Sequence, residues 1–139
     1  MKKKGFTLVE LLAVIAILAI LVVIAMPNVL GMFNSSKKNT FVTEVQNILK
    51  QAATDYVSKS LEGFVGDGYN FTNTGTLKLN IETTKNYNIK LDSQGRITDA
   101  EVSDNSYCFK VTGQTDFKFN DVDEKNEDGS FKYIKDGAC

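Results

Sequence analysis

The chain has 139 residues, enough for one domain, with 16 basic residues, 17 acidic residues, no histidine and no tryptophan. This near-neutral balance is not that of a nucleic-acid-binding protein, and the single arginine, Arg96, leaves little scope for bidentate phosphate recognition. Without histidine the usual acid–base options shrink, and no Ser/His/Asp, Cys/His or phosphate-loop pattern can be assembled. The composition therefore argues against an enzyme, and we expect no cofactor.

Three lysines and a glycine, Lys2–Lys4 and Gly5, precede a long apolar stretch, Phe6–Met26. A single helix needs about 20 apolar residues to cross a hydrocarbon core of ~30 Å, so this stretch is long enough. A secretory signal peptide is the alternative, but its apolar core usually has about 7–15 residues, and no small-x-small cleavage site follows here. The lysines favour the cytoplasmic side, which places the C-terminal bulk of the chain outside.

One residue interrupts the apolar stretch, the carboxylic acid Glu10. An acidic side chain deep in a membrane helix costs about 2.5–3.5 kcal/mol, so a functional role with a partner is the default hypothesis. The alternative is a tolerated carboxylate that lies close enough to the helix end to reach the headgroups. No basic residue lies within the stretch, so the sequence offers Glu10 no partner there.

Residues 4–12, Lys-Gly-Phe-Thr-Leu-Val-Glu-Leu-Leu, resemble the processing and assembly signature of type IV pilins and the related pseudopilins. The resemblance implies that a prepilin peptidase cleaves between Gly5 and Phe6, and that the new N-terminal Phe6 is methylated. It also implies an assembly role for Glu10, which in the family engages the N-terminus of an adjacent subunit. Cleavage would remove three of the 16 basic residues, so the mature side-chain charge would be 13 − 17 = −4.

The function implied by the resemblance is that of a structural subunit of a type IV pilus. Its precursor would cross the bacterial cytoplasmic membrane once, with a cytoplasmic N-terminus, and then polymerise through its hydrophobic helix into a surface filament for adhesion or motility. The implied partners are further copies, the prepilin peptidase, and the pilus assembly platform with its ATPase. The alternative within the family is a pseudopilin of a type II secretion or competence DNA-uptake machine, for which nucleic acid becomes a possible partner. An anchored adhesin or sensor that never polymerises would gain nothing from Glu10.

Beyond the membrane stretch, one helical stripe of apolar residues recurs at i, i+4, i+7, i+8, i+11 and i+15: Phe41, Val45, Ile48, Leu49, Ala52 and Tyr56. Between the two halves, Pro27 removes an amide donor and Gly31 is a weak helix former. We expect a kink or a softened stretch there, with two separate helices as the alternative. The predicted segments are a leader (1–5), a membrane and filament-core helix (6–26) and an amphipathic half (27–62).

Glycines at positions 63, 66 and 68 predict the end of the helix and a loop to about Gly75. Alternating apolar residues then predict five short antiparallel strands, at 77–81, 87–91, 96–102, 107–111 and 117–119. One face of such a sheet needs a cover, and the helical stripe is the candidate. The predicted fold class is α+β, with a long N-terminal helix, membrane-spanning in its first half and amphipathic in its second, packed on an antiparallel β-sheet head (63–139).

Two cysteines, Cys108 and Cys139, fall on the predicted outer side of the membrane, where disulfides persist. A disulfide would pin the polar tail 121–138, and two free thiols are the alternative. In pilins a disulfide near the C-terminus commonly frames an exposed variable segment, so this spacing resembles a pilin more than a pseudopilin. The acidic run 121–129 suggests calcium, but Lys125 and Asn126 stand where an oxygen ligand and a glycine are needed. A solvated loop without metal is therefore favoured.

Overall fold

The structure, a computed structural model, describes residues 1, 4–63 and 69–139. Lys2 and Lys3 of the predicted leader, and Gly66 and Gly68 of the predicted loop, lie outside the described residues. The chain divides into two compact units, Met1–Lys37 and Lys38–Cys139. The second unit therefore begins inside the segment predicted as the amphipathic half of the helix.

A single helix, α1, spans Leu8–Leu61 and contains Pro27. The alternative of two helices joined by a loop is therefore wrong, while the softening expected at Pro27 stays a prediction. Pro27 lacks the amide hydrogen that an ordinary residue would donate to the preceding turn, yet the residues on both sides of it are helical. The helix ends as predicted near Gly63, whose φ of 83° is the left-handed conformation that favours glycine.

The part of α1 in the first unit exposes its large apolar side chains, from Leu8 through Phe33. The helix is apolar and long enough to cross a membrane by length and composition, and its most apolar window has no buried residue. A helix that is apolar on every side needs a lipid environment or a dry protein interior. The first unit alone supplies neither.

Five antiparallel strands form one sheet in the second unit, in the sequential order β1-β2-β3-β4-β5. They are β1 (Tyr69–Thr72), β2 (Asn86–Leu91), β3 (Ile97–Ser103), β4 (Tyr107–Val111) and β5 (Ile134–Asp136). Along β2, exposed and buried residues alternate strictly. The pairing continues this alternation across the sheet, so one face is apolar and the other faces solvent.

The second half of α1 covers the apolar face, as the helical stripe predicts. Its buried residues are Phe41, Val42, Val45, Ile48, Leu49 and Ala52. They share one core with sheet residues of which Phe71, Ile89, Val102 and Phe109 have no exposed surface. This helix-on-sheet packing confirms the predicted α+β fold.

Tyr56, the last residue of the stripe, lies at the edge of this core and holds the turn between β2 and β3 against the helix. Its hydroxyl donates a hydrogen bond of 2.7 Å to the carbonyl of Ser93. Gly95 lies under the same ring with a φ of 76°, and a Cβ atom there would come within 2.7 Å of the ring. The turn therefore needs glycine at this position for both backbone conformation and space.

A second tie between helix and sheet is an ion-pair cluster on Lys85, just before β2. Its Nζ lies 2.9 Å from a carboxylate oxygen of Glu44 on α1 and 2.9 Å from one of Asp104 after β3. The Lys85 side chain is 13% exposed, and its ammonium lies over the Phe41 ring. One lysine thus connects three elements at the edge of the core.

Two of the five predicted strands are wrong, those at 77–81 and 117–119. In the first segment Leu79 is buried in the core, as in a strand. The amide of Asn80, however, donates to the side-chain carboxylate of Asp55 on α1 and not to a neighbouring strand. In the second segment Phe117 packs on Phe109 and Tyr133, and a 3₁₀ helix follows at Phe119–Asp123. Both segments alternate in polarity because they bury apolar side chains beside the helix, without pairing as strands.

The structure has two outer strands, β1 and β5, that the sequence did not predict. β1 lies within the segment predicted as a loop to Gly75, and β5 within the polar tail 121–138, for which no strand was predicted. Within the described part of the chain each strand pairs with one neighbour only, and each is short, with four residues in β1 and three in β5. Edge strands of this length carry too few alternating residues to stand out in a sequence.

Candidate functional site

The site predicted at the start of the apolar helix is built from Thr7 and Glu10. The amide and the hydroxyl of Thr7 both donate to Oε2 of Glu10, at 2.8 and 2.9 Å. In return, the amide of Glu10 donates to the hydroxyl oxygen of Thr7, at 3.3 Å. Since α1 begins at Leu8, these are the reciprocal bonds of a capping box, with Thr7 as the N-cap residue and Glu10 as the third helical residue.

The capping box explains how an acid is accommodated at this place in an apolar helix. The first turn leaves backbone amides without partners inside the helix, and its dipole favours negative charge. Glu10 is the only side chain with a formal charge from Phe6 to Ser36, and its sequence neighbours Val9 and Leu11 are exposed and apolar. The carboxylate is therefore oriented by its own helix but has no positive charge beside it in the apolar stretch.

The predicted cleavage site lies immediately before the cap. Gly5 and Phe6 are outside the helix, and Phe6 is 89% exposed. Among the described residues, no heavy atom beyond its chain neighbours comes within 4 Å of where a Cβ of Gly5 would lie. The bond between the two residues is thus in accessible, non-helical backbone, the form in which a peptidase can take up a chain.

The two cysteines form the disulfide that the sequence predicts, with Cα atoms 5.0 Å apart and a sequence separation of 31. It joins the last residue, Cys139, to strand β4. Nearby, Oδ1 of Asp136 lies 2.8 Å from Nζ of Lys38, at the start of the second unit, and forms an ion pair with it. The tail is therefore fixed to the sheet at one point and to the helix at another.

The carboxylates of the acidic segment 121–129 form hydrogen bonds and an ion pair with residues close to them in sequence. Asp121 accepts the amide of Lys118, Asp128 accepts the amide of Ser130, and Glu124 pairs with Lys132 at 3.1 Å. Among the described residues, no three or more His, Cys, Asp or Glu side chains gather in a way that could hold a metal ion. The segment forms a turn closed by a bridge between Lys125 and Phe131.

Sequence reasoning identified Gly5, Phe6 and Glu10 but missed Thr7. The signal was present, since Thr-x-x-Glu directly before an apolar run is the sequence signature of a capping box. Of the predicted residues, the structure brings Gly5, Phe6 and Glu10 together at the helix start. Cys108 and Cys139 lie in the second unit, and Pro27 lies within the helix.

Comparison with protein families supports this reading of the N-terminus. The family model of the prokaryotic N-terminal methylation motif matches residues 1–26. This segment contains the predicted leader, the Gly5–Phe6 bond, the capping box and the apolar stretch. Comparison with curated proteins and with solved structures gave no match.

Proposed function

We propose, on the premise that residues 1–26 are the N-terminal signature of type IV pilins and pseudopilins, that the chain is the structural subunit of a type IV pilus. It is made as a membrane-anchored precursor, cleaved after Gly5 by the prepilin peptidase and methylated on Phe6. It then polymerises through its hydrophobic helix into a filament at the cell surface, for adhesion or motility. Its role in this proposal is structural, not catalytic.

The observation that carries the proposal is the Glu10 carboxylate at the start of an exposed apolar helix. A membrane anchor alone gains nothing from this residue, because charge inside the apolar stretch raises the cost of insertion. Cleavage after Gly5 removes the leader lysines and creates one new positive charge, the amine of Phe6. A carboxylate and an amine in the same dry environment stabilise each other once they are paired.

The partner amine comes from a neighbouring copy in this mechanism, because the chain's own N-terminus would have to bend back to pair fully with Glu10. Both bonds from Thr7 go to Oε2 of Glu10, so the carboxylate can still accept a further donor. An incoming subunit offers its Phe6 amine to a Glu10 in the growing bundle. The contact neutralises both charges and sets the axial register, and the exposed apolar side chains supply the cohesion. The pilus assembly platform and its ATPase would drive this step.

A pilus is favoured over a pseudopilus by the tail of the second unit. The Cys108–Cys139 disulfide closes residues 109–138 into a loop, which resembles the segment framed in pilins. The second candidate is a pseudopilin of a type II secretion or competence DNA-uptake machine, which shares the same N-terminal signature. Only the competence role would add nucleic acid as a partner.

The test uses a strain in which the variant replaces the wild-type chain. Glu10→Ala is expected to be processed, to accumulate in the membrane and to form no filaments, because it lacks the carboxylate but inserts more readily. Glu62→Ala, which removes a carboxylate just after the end of the same helix, is the matched control and is expected to assemble normally. Normal filaments from Glu10→Ala contradict the mechanism.

Recovery of filaments separates the two candidates. Long filaments sheared from cells and containing this chain support a pilus. A chain that stays with the cell envelope while secretion or DNA uptake depends on it supports a pseudopilin.

A further inference from the structure

Two grooves flank the helix in the second unit. The first lies between α1 and residues 81–84, has a volume of about 650 Å³, and is lined by Glu44, Asn47, Ile48, Ile81 and Glu82 among others. We call it the acidic groove. The second, the basic groove, has a volume of about 520 Å³, and its lining includes Ala53, Arg96, Asp116, Phe117 and Lys118.

The two grooves lie on opposite sides of α1. Glu44 lines the acidic groove and Ala53 lines the basic groove, nine positions later in the same helix. Nine residues are about two and a half helical turns, which places the two side chains roughly half a turn apart. A neighbouring copy could therefore occupy one groove while the other groove remains open.

Among the described residues, the lining of the acidic groove has two carboxylates and no cation. One of these carboxylates, Glu44, is paired with Lys85. Glu82 is exposed and forms no ion pair within the part of the chain that the structure describes. Ile48, which is 1% exposed, and the partly buried Ile81 provide an apolar floor.

The lining of the basic groove contains two cations and one carboxylate among the residues that the structure describes. Arg96 is paired with Asp92 at 2.8 Å, whereas Lys118 is exposed and has no ion pair among the described side chains. The carboxylate in the lining is that of Asp116. Lys50 adds a further cation beside it, with its ammonium 5.0 Å from the centre of the Phe119 ring. Phe117 and Ile97, each 6% exposed, provide the apolar floor here.

We propose that the acidic groove of one copy docks against the basic groove of the next copy, with Glu82 of one facing Lys118 of the other. The inference rests on the proposed function, because it names the contact between second units inside the polymer. Two different surfaces on opposite sides of one molecule form a head-to-tail contact, which repeats without closing when the rotation between copies does not close a ring. Opposite charges on such surfaces fix the register and exclude the like-charged alternative.

Charge reversal tests the contact in cells in which the variant replaces the wild-type chain. Glu82→Lys and Lys118→Glu are each expected to lower the yield of sheared filaments about tenfold, because each places like charges opposite one another at every contact. The double variant with both changes restores the opposite charges and is expected to recover to within about twofold of wild type. Each variant is also isolated from the membrane fraction, where an intact Cys108–Cys139 disulfide establishes that it has folded.

Two further variants are matched controls for the change in charge. Glu127→Lys and Lys90→Glu make the same changes at exposed residues that line neither groove. Both are expected to assemble at the wild-type level. A loss equal to that of the groove variants would assign the effect to net charge and overturn the proposal.

Carbodiimide cross-linking of wild-type filaments tests the same contact directly. Filaments assembled from a mixture of isotopically light and heavy chains are expected to give a Glu82–Lys118 cross-linked peptide that joins a light and a heavy copy. Its absence, wild-type assembly by both single variants, or a double variant that does not recover would each overturn the docking while the proposed function stands. A wild-type chain that forms no filaments would overturn both.

Discussion

The two units differ in the exposure of their apolar side chains, although α1 contributes residues to both. In the first unit Leu21 is 56% exposed and Ile24 is 65% exposed, whereas in the second unit Val45 and Leu49 are fully buried. The difference is one of pattern, because the first part of α1 is apolar on every side and the second part is apolar along one stripe. The second unit thus completes its own core, whereas the first needs lipid or other copies of the chain.

This contrast predicts that changes in the two units have separable effects. A change in the second unit alters the free energy of unfolding of the sheet and its helix without affecting the membrane anchor. A change at the helix start alters assembly without affecting that unfolding. The following variants test this separation.

The largest effect on stability is expected from removal of the disulfide. The double variant Cys108→Ala/Cys139→Ala should lower the free energy of unfolding by about 3.5–4 kcal/mol in the chain-entropy model, because the closed loop no longer restricts the unfolded chain. Denaturant unfolding followed by tyrosine fluorescence measures the loss, and membrane fractionation should show an unchanged anchor. A reductant should cause the same loss in wild type and none in the variant. Two reactive thiols in the non-reduced folded protein would contradict the pairing.

A smaller effect is expected at Lys85, which joins the helix to the sheet. Lys85→Met should lower the free energy of unfolding by about 1–2 kcal/mol at neutral pH, since it leaves Asp104 and the half-exposed Glu44 without their cation. Lys90→Met is the matched control, because it removes a lysine from the exposed face of β2. Equal losses from the two variants would show that the ion-pair cluster adds nothing.

The Lys85 cluster also predicts a dependence on pH. Burial acts to raise the pKa of Asp104, but hydrogen bonds from Lys85, Ser106 and Tyr107 outweigh it, so the pKa lies below its ordinary value. Burial acts to lower the pKa of Lys85, and its bonds to Glu44 and Asp104 raise it overall. The cluster therefore contributes fully between about pH 4 and pH 10.

Below this range the contribution is lost as pH falls through the lowered pKa of Asp104, and above it as pH rises through the raised pKa of Lys85. Wild type and Lys85→Met should therefore converge in stability in acid. A difference that stays constant from neutral pH to pH ~2 would contradict this assignment.

The smallest effect is expected at the helix start. Thr7→Val keeps the shape of the side chain but removes the hydroxyl bonds of the capping box, which should destabilise the first turn by about 1 kcal/mol. Hydrogen exchange at the amides following Thr7 should accelerate, while unfolding of the second unit stays unchanged. Thr43→Val, which removes a hydroxyl inside the helix, is the control and should leave these amides unaffected. Equal exchange in Thr7→Val and wild type would show that the cap does not form.

The sequence predicted the elements whose pattern repeats over many residues. The helix, its buried stripe and strands β2, β3 and β4 were all predicted near their observed positions. The segments at 77–81 and 117–119 were misassigned because packing beside a helix gives the same alternation of polarity as a strand. β1 and β5 were missed because an edge strand is defined by its neighbour, which a local pattern does not contain.

The candidate site was predictable in part for a related reason. Gly5, Phe6 and Glu10 stand out because each breaks or begins a pattern, whereas Thr7 acts only through its bonds to Glu10. The two grooves were beyond prediction, because they depend on how the misassigned segments lie along the helix. The hydrophobic periodicity of a loop or of a helix does not specify the contacts between the two.

The N-terminus of the mature chain is the most direct test of the proposed function. Intact mass and N-terminal peptide analysis of the chain from sheared filaments should find it beginning at a methylated Phe6, with residues 1–5 absent. A Gly5→Leu variant should keep its leader and stay in the membrane, because a bulky residue at the cleavage site blocks the peptidase. A wild-type chain that retains Met1–Gly5, or one cleaved after Met26 as a signal peptide would be, would contradict the proposed function.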